Sequence, residues 1–201
     1  MPETLAPALM RPIVVWGLVF AAVCATAQGL ETAGMALQFQ RMAWAQGAWW
    51  QLLTAQWVHL GWGHWLGNVL AFVVLWGALR SSLSVRSLLV VHAGGLVGVA
   101  AVLLWDAQCQ YYAGSSGALH GVWAGGAALL LLRGPRSWGA ACGVLLVLKL
   151  LLPWWFGGAL PDPGFPVYHP AHWAGALGGL ATALALAGVS PQSPRRSQQG
   201  H

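Results

Sequence analysis

Six predominantly apolar stretches, residues 12–29, 62–79, 88–105, 116–132, 138–156 and 171–189, constrain this chain more than any other feature. A helix needs about 20 mostly apolar residues to cross the hydrocarbon core of a bilayer, and each stretch approaches that length. The charge supply agrees. Of 201 residues, 58% are hydrophobic and 6% charged, whereas a typical soluble domain carries about 25% charged residues to face water. Nine basic and four acidic side chains cannot solvate such a surface. The expected fold is an all-α membrane protein, a bundle of six transmembrane helices. A single membrane domain is expected over residues 1–190, with a polar, disordered tail at 191–201 rich in Pro, Ser and Gln. The first stretch begins after Arg11 as a secretory signal would, but no soluble domain follows it, so a retained anchor is expected.

The few charges are ordered. Arg11 precedes the first stretch; Arg80 and Arg86 follow the second, Arg133 and Arg136 the fourth, Arg195 and Arg196 the sixth. The alternate connections hold Glu31, Asp106 and Asp162, with only Arg41 against the trend. The positive-inside rule then places both termini in the cytoplasm. The net charge of +5 is therefore a topology signal rather than a nucleic-acid patch, and no nucleic-acid partner is expected. Cys24, Cys109 and Cys142 form no C-x-x-C pair, which argues against a metal ribbon or redox motif. No metal or cofactor is called for. The connection over residues 30–61 is long and aromatic, with Trp44, Trp49, Trp50 and Trp57 and then Trp62 suited to headgroup depth, so it is expected to lie at the membrane interface.

Polar groups inside membrane spans are costly and mark candidate sites. His64, Ser116 and His172 each stand near the start of the second, fourth or sixth stretch, all of which enter from the same side. Ser116 lies among Gly114, Gly117 and Gly121, and a serine at a helix start between glycines is open to a substrate backbone. Free N–H groups at that helix end favour a developing oxyanion. The plainer alternative is a helix cap, and Ser115 is a competing nucleophile. A serine hydroxyl needs a base, most often histidine. His172 is followed by Gly175 and Gly179 on one face, which would let its helix pack tightly on the Gly117 and Gly121 face. His169 is the rival base, placed in a loop before Pro170. No acid stands within a span, so a Ser–His pair is expected rather than a triad. His120 shares a helix face with Ser116 and is suited either to packing on the His172 ring or to a structural hydrogen bond. His64 and Asn68 also share a face, suited to oxyanion stabilisation or to polar contacts between helices. Lys149 is the one charge deep in an apolar run and is given no catalytic role.

Together, His64-x-x-x-Asn68, Gly114-x-Ser116-Gly117-x-x-x-Gly121 and His172-x-x-Gly175-x-x-x-Gly179 resemble the rhomboid intramembrane serine proteases over residues 50–186. The resemblance implies a Ser116–His172 dyad, with His64 and Asn68 lining the oxyanion hole. Two departures stand out. Trp50-Gln51 replaces the usual Trp-Arg, and His120 takes a position usually held by an aromatic that stacks on the catalytic histidine. The histidine and the compact chain look more like the rhombosortase branch. That branch implies substrates ending in a Gly-Gly, transmembrane-helix and basic sorting tail. It also implies a multi-pass protein of the bacterial inner membrane whose site opens to the periplasm. The alternatives are a general rhomboid cutting single-span membrane proteins and an inactive rhomboid-like binding protein. The fifth span and residues 157–170, rich in Gly and Pro, are a candidate mobile gate.

Overall fold

The structure is a computed structural model that describes residues 5–156 and 164–188. The expected tail, Arg195, Arg196, Asp162 and residues 157–163 of the candidate gate lie outside the described residues. In chain order the elements are α1 (Leu5–Thr32), β1 (Phe39–Gln40), α2 (Arg41–Ala45), α3 (Gln51–Thr54), α4 (Trp62–Arg80), α5 (Val85–Trp105), β2 (Tyr111–Tyr112), α6 (Ser116–Arg133), α7 (Arg136–Phe156) and α8 (His169–Gly188). The six long helices coincide with the six apolar stretches. Local chemistry sets several ends. Ser84 caps α5 by accepting the Ser87 N–H, and the Arg80 guanidinium closes α4 on the Leu83 carbonyl. His169, expected in a loop, instead opens α8.

Four segments are long and apolar enough to cross a membrane: Met10–Thr32, Trp62–Arg80, Val85–Trp105 and Arg136–Phe156. In α6 and α8, glycine and histidine dilute the apolar content. The outward faces of the bundle are apolar too, with Leu18, Val74, Val97 and Leu177 among the exposed side chains. A helix that is apolar on all sides suits a lipid surround.

The bundle is built around α6, which packs on α4, α5, α7 and α8 and is buried from Gly117 through Val122 and from Ala124 through Leu130. In lipid there is no hydrophobic drive to join helices, so close packing must hold them. Glycine provides it. The Gly117 and Gly121 carbonyl oxygens lie where a Cβ on Gly175 and Gly179 would fall. A second seam joins α5 to α8, where Gly98 meets the Ala174 carbonyl and Gly178 meets that of Gly94. Away from these seams, Phe20 of α1 stacks on Phe72 of α4, with Trp76 fully buried beneath them.

The long connection after α1 folds back onto the bundle rather than hanging free. Phe39 pairs with Tyr112 and Gln40 with Tyr111 in a two-residue antiparallel ladder, an addition to the expected all-α fold. Met42, Trp49 and Leu53 remain exposed on this segment. Arg41, the one arginine that broke the charge pattern, donates to the carbonyls of Leu103, Asp106 and Cys109 and lies over the Phe39 and Trp44 rings. It supplies a donor to the Leu103 carbonyl, one of the last four of α5, and a second donor to the Asp106 carbonyl, which also accepts the Cys109 N–H.

Candidate active site

The helix starts of α4, α6 and α8 converge at one end of the bundle. There Ser116 Oγ stands 3.0 Å from His172 Nε2. Ser115 faces elsewhere. Its hydroxyl donates to the Gln56 carbonyl at 2.6 Å and lies 3.8 Å from Cys24 Sγ, with the residue only 1% exposed. Ser115 occupies the cap position of α6 but makes no side-chain cap bond, so neither serine serves as a helix cap.

The loop before Ser116 is held from two sides. The Gly114 N–H donates to the Ala55 carbonyl at 2.9 Å, and the Tyr112 hydroxyl donates to the Gly114 carbonyl at 2.8 Å. Burial pushes the Tyr112 phenol above its ordinary value, so it remains a protonated donor. Gly114 itself has φ +130°, a conformation L side chains rarely adopt. A Cβ there would lie 2.7 Å from His64 Cε1. Gly114→Ala is therefore expected to cost about 1–3 kcal/mol from backbone strain alone. Chemical unfolding of the purified protein in micelles checks this.

Around His172 the rings are stacked and edge-on. His120 lies parallel to it, with centroids 4.2 Å apart and planes at 15°, while His169 approaches edge-on at 5.7 Å. His120 Nδ1 lies 2.7 Å from the Ser116 carbonyl oxygen. A carbonyl only accepts, so the proton sits on Nδ1 and Nε2 is a bare acceptor. That Nε2 is buried and has no hydrogen-bond partner among the described residues. His120 thus stacks on His172, while its hydrogen bond goes to the Ser116 carbonyl of its own helix rather than to a neighbouring one.

His64 reaches the same site from α4. The Leu60 N–H donates to His64 Nδ1 at 3.3 Å, so a neutral ring carries its proton on Nε2. The Cε1–Nε2 edge of the ring faces Gly114, and the ring stacks on Phe165 at 4.3 Å. Asn68 is buried, and its amide nitrogen donates to the His64 carbonyl at 2.9 Å. It makes no hydrogen bond to Ser116 or His172 among the described residues. A hydroxyl within hydrogen-bond distance of an imidazole, with N–H-bearing side chains close by, is an arrangement able to support acyl transfer. No group of three His, Cys, Asp or Glu among the described residues is placed to hold a metal ion.

Residues 46–189 match the rhomboid domain family. The chain belongs to the rhomboid family. This rhomboid is also 30% identical over 143 residues to the Rhomboid protease GluP of Bacillus subtilis (strain 168), a span covering 71% of the chain but 27% of the relative. The rhomboid domain holds further residues at this end: Gln56 and Tyr112, which match no motif, and Asp106, legible in the sequence only as an acid in a connection. Tyr112 and Gln56 fasten the serine loop, and Asp106 accepts a hydrogen bond from Tyr168, one turn before His172. Their local patterns carry no motif; only the fold brings them beside the helix starts.

Proposed function

We propose that this rhomboid-family chain is an intramembrane serine endopeptidase with Ser116 as nucleophile and His172 as general base. The observation that carries the reading is the 3.0 Å approach of Ser116 Oγ to His172 Nε2 where the helix starts converge. His172 takes the hydroxyl proton as Ser116 attacks the scissile carbonyl, and an ester forms as the C–N bond breaks. The imidazolium returns that proton to the leaving amine, and water then resolves the ester through the same base. The Ser116 backbone N–H, His64 Nε2–H and the second Asn68 amide proton supply the oxyanion donors. Stacking of His120 fixes the plane of the base. The glycines Gly114, Gly117, Gly121, Gly175 and Gly179 bring these groups within reach.

The arginine distribution supports six spans with both termini in the cytoplasm, which opens the site to the periplasmic side of a bacterial inner membrane. The substrate proposed is an exported protein bearing a C-terminal Gly-Gly, transmembrane-helix and basic sorting tail, as in rhombosortases. His120 at the stacking position supports that subtype. The similarity to GluP, a protein named simply as a rhomboid protease, favours a second reading: a general rhomboid that cuts single-span proteins. Co-reconstitution with two reporters separates the two. One ends in Gly-Gly, helix and arginines; the other is a single-span protein without Gly-Gly. The first reading expects the tailed reporter to be cut at least about tenfold faster, a preference of roughly 1.4 kcal/mol. Equal cleavage of both would assign the chain to the general class.

A further inference from the structure

No carboxylate among the described residues completes the dyad as a third member. Among the described residues the carboxylates are Glu31 and Asp106, and the Glu31 carboxylate accepts the Leu37 and Gln38 N–H groups of the first connection. Asp106 touches neither Ser116 nor His172. It stands where α5 ends, on a platform fixed by Arg41, whose guanidinium binds the Leu103, Asp106 and Cys109 carbonyls. One carboxylate oxygen accepts the Gln108 N–H at 2.9 Å and the other the Tyr168 hydroxyl at 2.5 Å.

Tyr168 is the residue through which that anchor can reach the base. It immediately precedes α8, its carbonyl accepts the Ala171 N–H at 3.2 Å, and His172 follows it by one helical turn. Residues one turn apart share a helix face, so holding Tyr168 sets the rotation of the turn that carries His172. The Tyr168 ring also lies edge-on to Tyr112 at 6.2 Å, and Tyr112 holds the Gly114 carbonyl two residues before Ser116. Ala171 is fully buried beside Tyr112 and Leu103 in the same cluster. One polar chain thus runs from the end of α5 to the base-bearing turn, with an aromatic contact to the nucleophile loop.

We infer that Asp106 is a positioning residue for His172, acting through Tyr168 to hold the first turn of α8 against the Ser116 loop. This rests on the dyad reading above. The bond is a charge-assisted one: the Tyr168 hydroxyl foremost, then the Gln108 N–H, keep the Asp106 carboxyl below the usual carboxylate range, so it is ionised at neutral pH. The Tyr168 phenol is pushed up, by burial first and by the carboxylate it faces, and stays a donor. An error of about 1 Å in the placement of a catalytic group costs on the order of 10² in rate.

Tyr168→Phe tests this on the full-length protein in micelles, because it removes one oxygen and leaves the ring against Tyr112. The expected result is a fall of about ten- to a hundredfold in the rate of Ser116 labelling by a fluorophosphonate, with an unchanged thermal midpoint. Asp106→Ala should give the same fall, and the double variant should be no slower than either single one. Asp106→Asn, whose amide oxygen still accepts the hydroxyl, should recover most of the rate. With a peptide substrate the loss should appear in kcat rather than KM. Wild-type labelling by Tyr168→Phe, losses that multiply in the double variant, or losses that track a lowered midpoint in all three single variants would each overturn the inference. Labelling that survives Ser116→Ala is a different outcome, which would sink the dyad itself.

Discussion

Ser116→Ala is expected to abolish covalent labelling by a fluorophosphonate and all substrate cleavage, while Ser115→Ala, one residue away, keeps both. The two hydroxyls are chemically alike, so the difference lies in what each one meets. Ser116 Oγ meets a ring nitrogen at 3.0 Å, a lone pair able to take its proton. Ser115 Oγ meets the Gln56 carbonyl at 2.6 Å, an acceptor with no comparable basicity. Members of such a pair act as a unit, so His172→Ala should fall as far as Ser116→Ala, by about 10⁴-fold or more in kcat. The Ser115 variant has a different cost. It leaves the buried Gln56 carbonyl without its donor, worth about 1–3 kcal/mol of stability. Labelling, cleavage and thermal unfolding measured on the three variants separate these effects. Label lost with Ser115→Ala but retained with Ser116→Ala would move the nucleophile and remove the basis of the proposed mechanism.

The helices were legible because each needs a long apolar run, and such runs survive in one dimension. The glycine register of Gly117 and Gly121 against Gly175 and Gly179 was legible for a similar reason: close helix contact demands small residues one turn apart. The partner glycines Gly94 and Gly98 of α5 have the same spacing, but spacing alone does not say which helix they meet. The connection after α1 was legible only as a long aromatic segment suited to the membrane interface. Its ladder with Tyr111 and Tyr112 joins residues 39–40 to 111–112, a pairing without periodicity in a two-residue strand. Arg41 shows the limit most directly. As a charge it contradicted the topology signal; as a donor to three carbonyls at the end of α5 it is structural. Asp106 was visible as an acid, but its link to the base passes through Tyr168, far along the chain, and only the fold closes that distance.

The second large effect is expected at Gly175, which touches no reacting atom. A methyl group added there would fall on the Gly117 carbonyl oxygen, which is main chain and cannot rotate away. At Gly121 a Cβ would lie 2.7 Å from the Gly175 carbonyl oxygen, so the two helices approach backbone to backbone from both directions. Gly175→Ala can be accommodated only by moving α8 away from α6, and Ser116 and His172 ride on those two helices. A separation of about 1 Å lengthens a 3.0 Å contact beyond hydrogen-bond reach. The expected loss is at least about 10²-fold in labelling and cleavage. Gly143 on α7 provides the contrast, because a Cβ there meets nothing within 4 Å. Gly143→Ala removes a flexible residue from a helix interior, so it should stabilise by up to about 1 kcal/mol and leave the rate unchanged. Membrane insertion is measured alongside, since both variants should still reach the bilayer. Wild-type labelling by Gly175→Ala would mean that the α6–α8 contact does not set the distance between nucleophile and base.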